Sequence, residues 1–230
     1  MRRLALAFRP AGLRPGLAVL VALAAQLAAL VALGWLLGRV VLAVLGTEDP
    51  RIDESIVRYF ADHRTPWLTT LLRVMSQLGS TTVLIPLVIV VGFVAEARTR
   101  SWSTMVNLAV ALGGAIALYD ILKPILARAR PDAELAAVAA SGYAFPSGHS
   151  TQVSAVAVTL AVLGAARASS SRRQVAIRAA AALVVVTVGF SRVYLGAHWP
   201  TDVLAGCSLG ALWATATVVT LGARHPNRAG

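Results

Sequence analysis

The sequence has little charge and almost no cysteine. Only 13% of its 230 residues are Asp, Glu, Lys or Arg, against about a quarter in soluble domains. Hydrophobic residues make up 57%, and the mean hydropathy is +0.73. So few charged side chains cannot cover the surface of a water-soluble globule, which excludes that class. The single cysteine, Cys207, excludes an intrachain disulfide framework and any cysteine-based metal site.

Long apolar runs are what the sequence has instead. Roughly 20 apolar residues in a helix cross the hydrocarbon core, and shorter runs suffice where their ends are buried against neighbours. We predict an all-α integral membrane protein, in which residues 1–230 form one domain, a bundle of six transmembrane helices. The first run is too long for the apolar core of a cleaved signal peptide, so we interpret it as an anchor. The predicted spans are residues 17–45, 74–95, 102–122, 150–166, 175–190 and 203–221.

The basic excess lies on one side of these six spans. The chain has 21 Lys and Arg against 10 Asp and Glu, a net charge of +11. The side that holds the termini has twelve arginines and one acid, Glu96, whereas the other side has nine basic and nine acidic residues. Cytoplasmic segments of membrane proteins are enriched in Lys and Arg. We therefore expect cytoplasmic N and C termini in a bacterial plasma membrane, with the bilayer and not nucleic acid as the partner of the positive charge.

The longest outer loop, residues 46–73, changes character along its length. It begins with four acids and continues with apolar and basic residues, a pattern typical of a helix lying in the membrane interface. We expect this loop to act as a lid. The acids are too scattered for a chelated cation, so we expect them to be solvated. They are Glu48, Asp49, Asp53 and Glu54.

Polar side chains gather where the spans end on the outer side. Because span ends on one face of a bundle lie close together, we expect one pocket that holds fixed cations, two histidines and a carboxylate. It would lie at the depth of lipid headgroups. The residues are Lys123, Arg128 and Arg130 after the third span, Ser147, Gly148 and His149 before the fourth, Ser191 and Arg192 at the end of the fifth, and His198 and Asp202 at the start of the sixth.

The cations and the predicted helix start suit a phosphate group. Arg130 and Arg192 carry planar forks that each grip two phosphoryl oxygens, and Lys123 adds a point charge. Ser147 is a favourable N-cap, and Gly148 lets a ligand approach the backbone amides at the positive end of a helix. Taken one at a time, these residues have a simpler interpretation, in which Ser147 only caps a helix and the arginines only meet lipid headgroups.

The histidines point to nucleophilic chemistry. His198 and Asp202 are four residues apart, so on a helix they share a face and can form a hydrogen bond. A carboxylate on one imidazole nitrogen leaves the other free to attack phosphorus, and His149 would protonate the leaving oxygen. The alternative is a surface ion pair beside an unrelated histidine. His63 and His225 have no comparable partners and are expected to be solvated.

The order and spacing of these residues resemble the three motifs of the type 2 phosphatidic acid phosphatase (PAP2) superfamily. Residues 123–131 have the pattern Lys-x6-Arg-Pro, residues 146–149 are Pro-Ser-Gly-His, and residues 191–202 have the pattern Ser-Arg-x5-His-x3-Asp. No motif position is substituted. The resemblance implies the core fold that this family shares with vanadium haloperoxidases, and an enzyme that uses no metal or other cofactor.

The resemblance also implies a role for each motif residue. His198 would be the nucleophile, Asp202 its orienting partner and His149 the general acid. The phosphoryl oxygens would be bound by Lys123, Arg130, Ser147, Gly148 and Arg192. Arg128 is not a motif position, and we expect it to bind headgroups or a second phosphate.

These observations together predict an integral-membrane lipid phosphate phosphatase with its active site on the extracytoplasmic face. The expected substrates are phosphatidic acid, phosphatidylglycerol phosphate or undecaprenyl diphosphate, each losing its terminal phosphate through a phosphohistidine intermediate. One alternative is a membrane phosphotransferase that uses the same pocket. Another is a membrane protein that binds lipid phosphate without catalysis. The six apolar spans argue against a soluble haloperoxidase.

Overall fold

The computed structural model describes residues 15–45 and 51–222. Over these residues the chain forms helices and no strands. The α-helices are α1 (Pro15–Leu45), α2 (Arg51–Asp62), α3 (Pro66–Ser76), α4 (Thr81–Thr99), α5 (Ser103–Leu126), α6 (Gly148–Arg167), α7 (Ser171–Tyr194) and α8 (Pro200–Gly222). Two single-turn 3₁₀ helices lie at Gln77–Gly79 and Ala133–Leu135.

Six of these helices, α1 and α4 to α8, are long and apolar enough to cross a membrane. The predicted all-α bundle of six membrane helices is therefore confirmed. Several helices extend past the apolar runs that predicted them, because backbone hydrogen bonding continues beyond the last apolar residue. Lys123 and Arg192, for example, lie in the final turns of α5 and α7.

The predicted start of the second span is wrong. Val74 belongs to the end of α3, and α4 begins only at Thr81, after the 3₁₀ turn Gln77–Gly79 and an extended Ser80. Apolar side chains continue across this break, so hydropathy alone does not reveal it. The turn brings Gly79 against α6 and α7, where an added Cβ would lie 3.0 Å from the His149 carbonyl oxygen and 2.7 Å from the Val188 side chain.

The segment predicted as an outer loop with an interfacial helix, residues 46–73 and called the outer segment below, contains α2 and most of α3. Helix α2 places Val57 in a buried cluster with Trp199 and Val203, and α3 places Leu72 against Tyr194 and Leu195. These contacts fix both helices to the C-terminal end of α7 and the N-terminal end of α8. Glu48 and Asp49, two of the acids of this segment, lie outside the described residues.

Helix α6 occupies the centre of the bundle. It packs against α5, α7 and α8, whereas α1 lies at the periphery against α5 and α8. The central packing is close because small residues let the helices approach each other. A Cβ added at Gly210 of α8 would lie 2.2 Å from the Thr151 carbonyl oxygen of α6.

Gly114 and Gly113 make a matched pair for testing this packing. A Cβ at Gly114 would lie 2.1 Å from the Trp213 ring, whereas one at Gly113 would have nothing within 4 Å. The Trp213 indole is held in place, since its Nε1 donates to the carbonyl oxygens of Val110 and Ala111, each at 3.1 Å.

We predict that Gly114→Ala destabilises the protein by about 1–3 kcal/mol, the usual range for overpacking a core. Gly113→Ala, its neighbour on the same helix, should be neutral or stabilising, because alanine favours a helix over glycine by up to about 1 kcal/mol. Unfolding of both variants in detergent measures the difference. Equal stabilities would contradict the close packing of Gly114 against Trp213 between α5 and α8.

Candidate active site

The predicted site residues meet at one end of the bundle. They lie at the C-terminal ends of α5 and α7, at the N-terminal ends of α6 and α8, and in the connecting loops. Ser147 and Asp202 are fully buried, and His198 is 2% exposed. His149 lies within electrostatic range of His198, Arg192, Arg130 and Lys123. The convergence expected from the span ends is therefore what the structure has.

His198 lies in the turn before α8, not on the helix as the four-residue spacing suggested. The helix begins at Pro200, because the proline ring clashes with a helical backbone at the residue before it, here Trp199. Asp202 lies in the first turn, and its Oδ2 accepts a hydrogen bond of 3.0 Å from the Trp199 amide, as in a capping box. The same oxygen lies 3.6 Å from His198 Nδ1, an ion-pair distance and longer than a hydrogen bond.

Arg130 lies beside the other ring nitrogen of His198. Its Nη1 is 3.2 Å from His198 Nε2, and its fork is held by three backbone carbonyls: Ala197 at 2.6 Å, and Ser141 and Gly142 at 2.9 Å each. Burial lowers the pKa of His198 to about 4; Asp202 opposes this shift, and the two guanidinium groups of Arg130 and Arg192 add to it. The imidazole is therefore neutral at pH 7 and has a lone pair to share.

Ser147 occupies the N-cap position of α6, but its side chain does not cap the helix. Its hydroxyl accepts a hydrogen bond of 3.0 Å from Ser150 Oγ, and its amide donates to the Asp202 carbonyl oxygen at 3.0 Å. The expected side-chain cap is therefore wrong, because Ser147 is turned into the contact between α6 and α8. The first amides of α6, at Gly148 and His149, receive no side-chain acceptor from Ser147.

The two remaining predicted cations, Arg192 and Lys123, each donate one side-chain hydrogen bond to the described part of the protein. Arg192 is 8% exposed; its Nη1 donates to Ser76 Oγ at 2.5 Å, while its Nε is buried without a partner among the described residues. Lys123 donates from Nζ to the Tyr143 carbonyl oxygen. A buried guanidinium nitrogen without an acceptor is costly, so Arg192 has hydrogen-bonding capacity that the described residues leave unused.

Arg128 does not reach a headgroup or a second phosphate, contrary to the sequence-based expectation. Its guanidinium is buried between two carboxylates, 2.5 Å from Asp202 Oδ1 and 2.7 Å from Asp53 Oδ2. Asp53, which was expected to be solvated, is fully buried. One signal in the sequence could have revealed it, because Asp53 precedes Val57 and Phe60 at helical spacing and so shares the apolar face of α2.

A polar cavity of about 280 Å³ adjoins the site on the side of His149 and Arg192. Helix α3 and the turn after it contribute side chains that sequence reasoning did not single out, among them Arg73, Ser76 and Gln77. They carry no motif, and the predicted second span had placed Ser76 and Gln77 inside the membrane. Arg73 donates from Nη2 to the Ala137 carbonyl oxygen at 3.1 Å.

A helical membrane bundle that gathers two histidines, a carboxylate and three cations at one end defines a class of protein, the integral-membrane phosphatases. The family model described as the PAP2 superfamily matches residues 104–226, more than half of the chain. Phosphatidylglycerophosphatase B of Bacillus subtilis (strain 168) is 35% identical over 162 residues, which cover 70% of this chain and 78% of that protein. The chain belongs to the PAP2 superfamily.

Two further similarities agree with this assignment. The crystal structure of a transmembrane PAP2 type phosphatidylglycerolphosphate phosphatase from Bacillus subtilis matches with a TM-score of 0.74 and 30% identity, covering 89% of this chain and 99% of that one. An undecaprenyl-diphosphatase of Sulfolobus acidocaldarius is 35% identical over 118 residues, which cover 49% of this chain and 52% of that protein. The predicted family and the phosphatase class are confirmed, whereas the roles of single residues stay predictions.

Proposed function

We propose that this protein is a lipid phosphate phosphatase that hydrolyses the terminal phosphate of phosphatidylglycerol phosphate, undecaprenyl diphosphate or phosphatidic acid. The names of its relatives support a lipid substrate. The observation that carries the proposal is the placement of two charged groups at the two ring nitrogens of one imidazole. His198 faces a carboxylate with Nδ1 and a fixed guanidinium with Nε2, and it is neutral at pH 7.

The phosphoryl group would bind between the cations and the start of α6. Arg130, Arg192 and Lys123 supply three positive charges, which balance a phosphate dianion and the charge that develops as it is transferred. The amides of Gly148 and His149 add donors at the positive end of the α6 dipole. A phosphoryl group bound by Arg130 would lie within reach of His198 Nε2, which is 3.2 Å from Arg130 Nη1.

Hydrolysis would proceed in two displacements. His198 Nε2 forms a bond to phosphorus while the ester or anhydride P–O bond breaks, and His149 gives the leaving oxygen a proton. Water then attacks the phosphohistidine, His149 takes up the proton of that water, and the P–N bond breaks to release inorganic phosphate. Asp202 would stabilise the positive charge that the His198 ring gains in the first step.

We propose that this reaction needs no metal ion. The three cations already supply the charge that a divalent ion would bring to a phosphoryl group. Over residues 15–45 and 51–222, no three His, Cys, Asp or Glu side chains cluster in a way that could hold a metal.

We further propose that the site faces away from the cytoplasm. It lies at the end of the bundle where α5 and α7 end and α6 and α8 begin. The opposite end, where α4 and α6 end and α7 begins, carries arginines almost without acids. Those arginines include Arg98, Arg100, Arg167, Arg172 and Arg173, and such a bias is typical of the cytoplasmic side.

We predict that His198→Ala lowers phosphate release from a short-chain phosphatidic acid by at least about 10³-fold, as expected when a nucleophile is removed. His63→Ala is the matched control, since this histidine is exposed and stacks on Tyr59. It should leave the rate unchanged. A His198→Ala protein as active as the parent would exclude the proposed mechanism.

Phosphate release also tests whether the reaction needs a metal ion, and on intact cells it tests which side of the membrane the site faces. Activity should survive EDTA, and vanadate should inhibit it, because vanadate resembles the transferred phosphoryl group. Intact cells that express the protein should release phosphate from a soluble substrate added outside. A requirement for Mg²⁺ would contradict the metal-free account, and release only after permeabilisation would contradict the outward-facing site.

A further inference from the structure

The carboxylate of Asp202 shares its arginine with a second carboxylate on another helix. Arg128 donates from Nη1 to Asp202 Oδ1 at 2.5 Å and from Nη2 to Asp53 Oδ2 at 2.7 Å. The three side chains are 6%, 0% and 1% exposed, in the order Arg128, Asp202, Asp53. One buried cation therefore connects α2 of the outer segment to the acid that faces His198.

The connection is reinforced at the start of α8. Asp53 accepts from the Thr201 amide at 3.2 Å and from the Thr201 hydroxyl, so an acid on α2 acts as the cap of α8. Arg128 also donates to Thr201 Oγ1 at 2.7 Å and lies over the Trp199 ring, 5.8 Å from its centroid. These bonds fix the first turn of α8, where Asp202 lies.

The charges of this cluster act on His198 in opposite directions. Arg128 draws the negative charge of Asp202 away from the imidazole, and Asp53 offsets Arg128 by binding its other nitrogen. With both acids ionised, the three side chains have a net charge of −1. Removing Arg128 would leave −2, removing Asp53 would leave zero, and removing both charges would restore −1.

We propose that Asp53 and Arg128 are positioning residues of the hydrolysis, acting through Asp202 to orient it and to set how strongly it stabilises a proton on His198. This inference rests on the proposed function. The other charged or titratable groups near His198 are Arg130, His149 and Arg192, and Lys123 acts on His149 and Asp202. None of them changes in the variants that test the proposal.

The test compares Arg128→Gln, Asp53→Asn and the double variant by the pH dependence of kcat/KM. The acid limb of this profile reports the ionisation of the free enzyme, in which His198 must be neutral to attack. Arg128→Gln should raise the pKa of His198 and move the limb up by about one pH unit, and Asp53→Asn should move it down by a similar amount. The double variant should return close to the parent.

Further readouts separate positioning from mere support of the fold. Asp53→Asn should lower kcat about tenfold, less than the roughly 10²–10⁴-fold of a direct general acid–base contribution because Asp53 acts through Asp202, with KM within about twofold of the parent. Arg128→Gln leaves two buried carboxylates without their cation, so it is expected to unfold at a lower temperature, and the double variant should recover the unfolding temperature of the parent.

Glu54→Gln is the matched control. It removes a carboxylate next to Asp53 that forms only an exposed pair with Arg58, and it should move neither limb nor kcat.

Two results would overturn the positioning role. The first is that the limbs of Asp53→Asn and Arg128→Gln move in the same direction. The second is that the variants change the unfolding temperature but not the pH profile or kcat. Both leave the proposed function intact, because that function is tested separately, by phosphate release from the parent protein and by the His198→Ala variant.

The cavity beside His149 carries a second, independent inference. His149 would protonate the leaving oxygen, so whatever is bonded to that oxygen enters the cavity of about 280 Å³. Its lining has a polar part, with Arg73, Gln77 and Ser80, and an apolar part, with Val138, Ala139 and Leu195. The polar part suits a second phosphate, which an arginine binds through its fork.

We infer that Arg73 binds the second phosphate of a lipid diphosphate and so favours such substrates over monophosphates. Farnesyl diphosphate and farnesyl phosphate, which share one tail, test this inference as a matched pair of substrates. Arg73→Gln should raise KM for the diphosphate roughly tenfold, as expected for the loss of one charge-assisted hydrogen bond, and leave KM for the monophosphate within about twofold.

Arg58→Gln, which removes an exposed arginine of the outer segment, should change neither KM. Equal changes for both substrates, or none, would contradict the role of Arg73. Retained hydrolysis of the monophosphate also shows that the variant is folded. If the parent protein hydrolyses neither substrate, the proposed function itself is contradicted.

Discussion

The buried carboxylate of Asp202 joins segments that are far apart in the sequence. It accepts from Arg128 after α5 and from the Trp199 amide before α8, while its backbone oxygen accepts from Ser147 at the start of α6. Through Arg128 it also holds Asp53 on α2. A buried carboxylate left without such partners costs several kcal/mol, so the fold must bring these groups together. The position of His198 beside them is a consequence of that requirement.

The site uses helix ends because these are the places in a membrane bundle where polar groups are available. Backbone amides in the first turn of a helix have no partner within the helix, and the first turn of α6 receives no cap from Ser147. Arginines and a lysine at the ends of α5 and α7 can face the same space while their stems stay among apolar side chains. Within the described residues, the apolar bundle supplies rigidity, and the end at which α6 and α8 begin gathers the polar side chains.

The bundle and the convergence of the motif residues at one end of it were predictable from the sequence, because hydropathy and spacing are local signals. Sequence reasoning failed where the information was not local. The break at Gln77–Gly79 is hidden by apolar neighbours, and the Asp53–Arg128 pair joins residues 75 positions apart. The capping role of Ser147 was wrong for the same reason, since a contact with α8 displaces it. Arg73 carries no motif, and only the folded α3 brings it near His149.

The account depends most on covalent transfer of the phosphoryl group to His198. Rapid alkaline quenching during turnover of a lipid substrate labelled in its terminal phosphate, followed by peptide mass spectrometry, measures this directly. The account predicts acid-labile phosphate on His198, present in the parent protein and chased by unlabelled substrate at the rate of turnover. Phosphate on another residue, or turnover by direct attack of water with no labelled protein at any time, would contradict it.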